Sequence, residues 1–266
     1  WAEILAAIAA GDFETPLVSR KQAFEKLEAL LAVYQEVQHQ AGWNGIVAFF
    51  RIIESEEPVL DESGEPTGEV IKTYRYENLS DQYGFGDTLN LAVSLSSVLG
   101  AVKNLSLEPD MTVLRESIVA RANAILTAQE AGYAAFYDPV KKRFRGAYGL
   151  NPQTGQWEFV NNYYIDRLFN EFCPGMVWLA ANYPEYQPAF DGLDVTIRRY
   201  LTEGGRIIEL AAPFDGGAFQ MFWPLIYVDE TRYPEFDVAL RNFLYAQAEY
   251  AFGTGNPGLL SAADNP

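Results

Sequence analysis

One cysteine and one histidine in 266 residues leave little from which to build a disulfide or a metal cage. Cys173 alone cannot form an internal disulfide, and His39 lacks the company of thiolates or imidazoles that zinc and iron sites need. Positive charge is also scarce: 19 Lys and Arg stand against 36 Asp and Glu, a formal net charge of -17. The acids are scattered along the chain instead of forming a tail, so no nucleic-acid partner is expected, and anionic membrane, which also needs a cationic face, is a poor one. No apolar run of about 18 residues or more exists, so no segment is expected to span a bilayer. Residues 1–10 are apolar but lack the basic leading region of a signal peptide, and the chain starts on Trp1, so it reads as a mature or excised product. Any catalysis is expected to rest on carboxylates.

What the chain has in quantity is rings. Its 16 Tyr, 17 Phe and 5 Trp make 14% of the residues, within a 49% hydrophobic content suited to a globular core. Thick helix interfaces account for such rings, and so does a groove in which aromatic faces stack on sugar C–H faces while acids and amides bond the hydroxyls. Residues 213–230, PFDGGAFQMFWPLIYVDE, concentrate the second pattern. Asp215 precedes Gly216 and Gly217, which allow close backbone approach, and Phe219, Phe222, Trp223 and Tyr227 follow at helical spacing.

Residues 21–38 carry Phe24, Leu27, Leu30, Leu31, Tyr34 and Val37 at helical period, with Ser19 as N-cap. Residues 45–53 and 70–76 read as a hairpin with a long loop. Helices are expected over 88–103, 111–131, 164–182, 187–202, 218–228 and 234–252, and a β meander over 133–159, giving about seven helices with two small β excursions. The helix over 88–103 is apolar on nearly every side and requires neighbours on more than one face, as in the inner ring of an α/α toroid. The fold class expected is therefore mainly α, an α/α toroid with small β-hairpin excursions, in one domain over 1–266.

Four blocks resemble the glycoamylase-like group of bacterial (α/α)6-toroid proteins, which includes enzymes acting on β-1,2-glucans. Residues 83–101, YGFGDTLNLAVSLSSVLGA, resemble the block in which an acid introduces an inner helix. Residues 163–181, YYIDRLFNEFCPGMVWLAA, resemble the block built around a Ser-Glu-x-Arg core; residues 215–230 resemble the Gly-Gly-x-x-Phe-Glu block; and residues 240–266 resemble the closing helix followed by Gly-Leu-Ser-Ala. The chain departs from the family at Gln220, where relatives carry a glutamate, at Phe172, Cys173 and Pro174, where they carry an arginine-bearing helical turn, and at its end, which suggests an incomplete toroid and a fragment of a longer chain.

The resemblance implies a metal-free, cofactor-free glycoside hydrolase acting on an oligo- or polysaccharide, located in the periplasm or outside the cell. Glu171, Asp215 and Asp87 are the catalytic candidates, with Gln220, Trp223, Phe219, Tyr83, Tyr164, Asp166, Arg167 and Trp157 as substrate contacts; Tyr163 and Trp178 are further stacking candidates. Desolvation by Phe169 and Phe172 is expected to raise the pKa of Glu171, the proposed acid. Structural roles stand beside these: Glu171 paired with Arg167 at i,i+4, Asp215 and Asp87 capping helices, Asp166 bound to Arg167. Asp229 and Glu230 are expected in solvent, His39 at a helix C-terminus, and Cys173 as a small buried apolar residue. A glycan-binding protein without turnover is the alternative function, for which Gln220 argues. A scaffold without a sugar site predicts instead that Asp87, Glu171 and Asp215 do not converge.

Overall fold

The computed structural model describes residues 1–213, 216–256 and 258–259. Its helices are α1 (Ala2–Ala10), α2 (Arg20–Ala41), α3 (Phe85–Val102), α4 (Pro109–Phe136), α5 (Cys173–Asn182), α6 (Gln187–Asp191), α7 (Ala218–Phe222) and α8 (Pro234–Thr254). The strands are β1 (Phe50–Leu60), β2 (Pro66–Asn78), β3 (Gln82–Gly84), β4 (Tyr137–Asp138), β5 (Arg143–Arg145), β6 (Ala147–Leu150), β7 (Trp157–Phe159), β8 (Tyr164–Ile165), β9 (Ile197–Leu201) and β10 (Ile207–Ala211). The chain is mainly helical with small antiparallel sheets, and it divides into two compact units.

The first unit comprises Trp1–Gly84, Ala101–Ala135 and Ala147–Val160. Helix α2 starts as its sequence dictates: Ser19 accepts from the Gln22 N–H at 3.3 Å and Gln22 Oε1 accepts from the Ser19 N–H at 2.9 Å, a reciprocal capping box. Its buried stripe of Ala23, Phe24, Leu27 and Leu31 packs with that of α1, the helix formed by the apolar stretch at residues 2–10. Strands β1 and β2 run longer than expected and their loop is short. Asp61 closes it by accepting from the N–H groups of Ser63 at 2.8 Å and Glu65 at 3.0 Å. Strands β3, β6 and β7 form one sheet, so the expected meander is in fact divided, β4 and β5 belonging to a different sheet.

The second unit comprises Phe85–Gly100, Phe136–Gly146 and Asn161–Pro266. Two expected helices are replaced here. Residues 164–172 form strand β8 and an irregular turn, because buried Asn170 binds the local backbone: its Oδ1 accepts from the Phe172 N–H at 2.7 Å and its amide donates to the Arg167 carbonyl. Helix begins only at Cys173, and Pro174 sits in its first turn, where the missing N–H costs nothing. Residues 187–202 form the short α6, end at Gly192 and then become β9, which pairs with β10 through a turn at Gly205 (φ 76°). The β-branched run Val195, Thr196, Ile197 and the Gly204–Gly205 pair are the sequence signals of that hairpin. The apolar stretch after Gly217 is helical over only five residues before Pro224 turns it into a 3-10 segment, Trp223–Ile226. Ile208, Leu210, Met221, Leu240, Phe243 and Ala246 make the core that joins this hairpin to α7 and α8.

Helix α3 is apolar enough by composition to cross a bilayer, with mean hydropathy 1.3 over 18 residues, and half of it is buried in the protein. Phe85, Leu89, Ala92, Val93, Leu95 and Val98 supply that buried surface, as suits a core helix.

Candidate functional site

Two glycines set the site. A Cβ added at Gly86, in the first turn of α3, would lie 2.2 Å from the Phe172 ring, and one at Gly175, in the first turn of α5, would lie 2.4 Å from the Leu89 Cβ. The starts of α3 and α5 therefore touch at distances that no side chain fits between. Asp87 follows Gly86 and Glu171 precedes Phe172, so each acid is the chain neighbour of a residue in this contact. Helix α3 begins at Phe85, so Asp87 stands within its first turn and does not take the alternative role of a cap before Thr88.

Beside this contact lies a cavity of about 500 Å³ lined by Tyr163, Tyr164, Asp166, Arg167, Glu171 and Gln220, with Asn170 and Phe172 in its wall. Asp87, Glu171 and Asp166 all lie close enough to the Tyr163 hydroxyl to oppose its ionisation, adding to the effect of burial, which is the larger cause. Asp87 keeps solvent access, yet the surrounding protein removes part of its hydration and raises its carboxyl above the usual range. Gln220 Oε1 is buried with no hydrogen-bond partner among the described residues, an acceptor ready for a hydroxyl.

Other expected contacts are committed within the protein. Asp166 lies 3.5 Å from Arg167 Nε and 3.7 Å from Arg143 Nη1, while Arg167 also donates to Thr196. The i,i+4 pairing expected between Glu171 and Arg167 needs a helix that this segment does not form. The Tyr164 hydroxyl donates to Asp138 at 3.0 Å and Lys141 sits 4.3 Å above its ring. Tyr83 and Trp157 belong to a ring cluster of the first unit: their centroids are 5.5 Å apart, Tyr148 lies 5.7 Å from Trp157, and Trp43 stacks on Tyr148 at 4.0 Å. Phe219, Trp223 and Tyr227 pack on one another at 5.1 and 6.2 Å, and Ser94 and the Tyr227 hydroxyl share a 3.0 Å hydrogen bond. Asp215 lies outside the described residues.

Glu230 is a correction. Expected in solvent, it is only 6% exposed, because Pro224 ends the helix early and a second 3-10 turn, Glu230–Arg232, carries the side chain inward. Burial lifts its carboxyl from the ordinary 4.5 to about 7, and Oε2 has no hydrogen-bond partner among the described residues. Its charge and, more strongly, burial push the Cys173 thiol up to about 12, so Cys173 is an inert core group at the start of α5.

No family model matches the sequence, and no curated protein matches it. Among solved structures, the fold is similar to that of the endo-β-1,2-glucanase from Talaromyces funiculosus in complex with sophorose, with a TM-score of 0.67 at 11% identity. A glutamate-to-glutamine mutant of that enzyme in complex with β-1,2-glucan gives 0.64, again at 11%. At such identity the likeness is one of fold. Each comparison covers 98% of this chain and 52% of the other, so the chain spans about half the length of the proteins whose fold it shares.

Proposed function

We propose that the protein is a glucan-active glycoside hydrolase whose helices form part of an α/α toroid, with Asp87 and Glu171 as its carboxyl pair. The observation that carries this reading is the glycine contact that holds the start of α3, which bears Asp87, against the start of α5, which follows Glu171, beside a cavity rich in hydrogen-bonding groups. Glycoside hydrolysis needs one carboxyl that holds a proton for the leaving oxygen and a second that activates water or attacks the anomeric carbon. Partial desolvation of Asp87 raises its hold on a proton, which suits a pair dividing those roles. The fold shared with a β-1,2-glucanase makes β-1,2-glucan the first substrate to try.

Incubation with β-1,2-glucan and a panel of other β-glucans, followed by assay of reducing ends, is the test. Glu171→Gln is expected to lower cleavage by about 10³-fold, the scale of a lost general acid or base. Cleavage unchanged in a folded Glu171→Gln protein overturns the assignment. A glucoside with an activated leaving group then separates the roles, since it restores the variant lacking the acid and not the one lacking the base.

Gln220 favours a second reading, a glycan-binding protein that shares the groove without turnover. It is an amide in the cavity wall where the resemblance implies a glutamate, and it has an acceptor to offer and no charge. Retention on glucan with no release of reducing ends supports that reading over the first.

A further inference from the structure

We propose that Tyr163 is the aromatic platform of the site, the surface on which the sugar ring nearest Glu171 and Asp87 lies. This rests on the glucan reading and adds to it the residue that orients the substrate.

The backbone holds this tyrosine in place from both sides. Asn162 adopts a left-handed conformation, φ 57°, which bends the chain immediately before the ring, and the Gly146 N–H donates to the Tyr163 carbonyl at 2.9 Å. The ring itself rests on Gly146: a Cβ added there would come within 2.5 Å of Cε1 and 2.6 Å of Cζ. One flank is thus pressed against backbone, a contact that only glycine permits. Even so, the residue is 43% exposed and lines the cavity beside Glu171 and Gln220.

The other rings expected to stack on substrate already have partners. Those around Trp43 stack on one another, Phe219 to Tyr227 form their own ladder, and Tyr164 lies under Lys141. Among the described residues no ring or cation stacks on Tyr163. A rigid, half-open ring flanked by carboxyls and an unused amide acceptor has the chemistry of a pyranose subsite, with a face for the C–H groups and polar atoms for the hydroxyls. Burial, and after it the acids around the phenol, keep it neutral, so it both donates and accepts.

Calorimetric titration with sophorose and longer β-1,2-gluco-oligosaccharides tests the proposal on the full chain. Tyr163→Ala is expected to weaken binding about tenfold, and Tyr163→Phe, which keeps the face, to stay within about threefold of the wild type. Wild-type affinity in Tyr163→Ala overturns the platform, and so does equal weakening in both variants, which would assign the effect to the hydroxyl. Should Tyr163→Ala not fold, the wild-type NMR spectrum decides: Tyr163 ring protons shifted by bound sophorose support the platform, and unshifted ones overturn it. If the wild type binds none of the panel of β-glucans, the functional reading itself falls, an outcome distinct from the variant results.

Discussion

At the residue scale, the acid least visible in the sequence has the largest consequence for stability. Glu230 closes a run of apolar and aromatic residues, and its burial depends on where Pro224 breaks that run, which no local pattern states. Because its carboxyl titrates near 7 in the folded chain against an ordinary 4.5, the folded state binds the proton more tightly than the unfolded one. The contribution of Glu230 to stability is therefore highest below pH 4.5, declines as pH rises through the window from 4.5 to 7, and above it has lost about 3 kcal/mol at most. Glu230→Gln, which mimics the protonated acid, is expected to flatten this decline and to melt higher than the wild type at pH 8, with little difference at pH 4.5. Thermal melts of both proteins across that range check it, and parallel curves would remove Glu230 as the cause.

At the scale of elements, what could be read in the sequence was what is local. The helix at 20–41 declares itself through its period and capping box, and those at 85–102, 109–136 and 234–254 through long runs of helix-forming and apolar residues, within a few residues at each end. The stretch from 164 to 202 misleads because it is helical only at Cys173–Asn182 and Gln187–Asp191, and the rest of its apolar pattern has other causes. It is set by the strand partners Phe144 and Arg145, by the Asn170 side chain, and by pairing with residues 207–211, none of which a short window contains. Asp87 and Glu171 were legible as candidates, but the contact between the elements that carry them was not, since Gly86 and Gly175 show their purpose only when α3 and α5 are seen in contact. Gly175→Ala tests that contact. Its Cβ would meet the Leu89 backbone carbon at 2.9 Å and oxygen at 3.0 Å, so the helices must part instead of a side chain swinging aside. A stability loss of about 1–3 kcal/mol is expected, together with reduced glucan cleavage or binding measured well below the melting temperature. A wild-type melt and wild-type activity would show that the close approach does not position the acids.

For the whole molecule, the excess of acid constrains which polysaccharides are compatible with the site. The chain carries a formal net charge of -17, and its cavity holds Asp166 and Glu171 against the cation Arg167, with Asp87 in electrostatic reach of the Tyr163 hydroxyl. A neutral glucan carries no charge into that field, so its affinity rests on stacking and hydrogen bonds, which salt hardly changes. An anionic glycan meets a net repulsion, Arg167 in the cavity notwithstanding, and the repulsion weakens only as salt screens it, with a Debye length of about 10 Å at 0.1 M. Binding of β-1,2-glucan is therefore expected to vary less than about twofold between low and moderate ionic strength, while alginate and heparin stay unbound at low salt. Affinity chromatography on the three glycans at two salt concentrations makes the comparison. Tight, salt-sensitive retention on the anionic columns would mean that a cationic patch outweighs the net charge and that the ligand class is wrong, whereas salt-independent retention on the neutral glucan is what a site built from rings, amides and carboxyls requires.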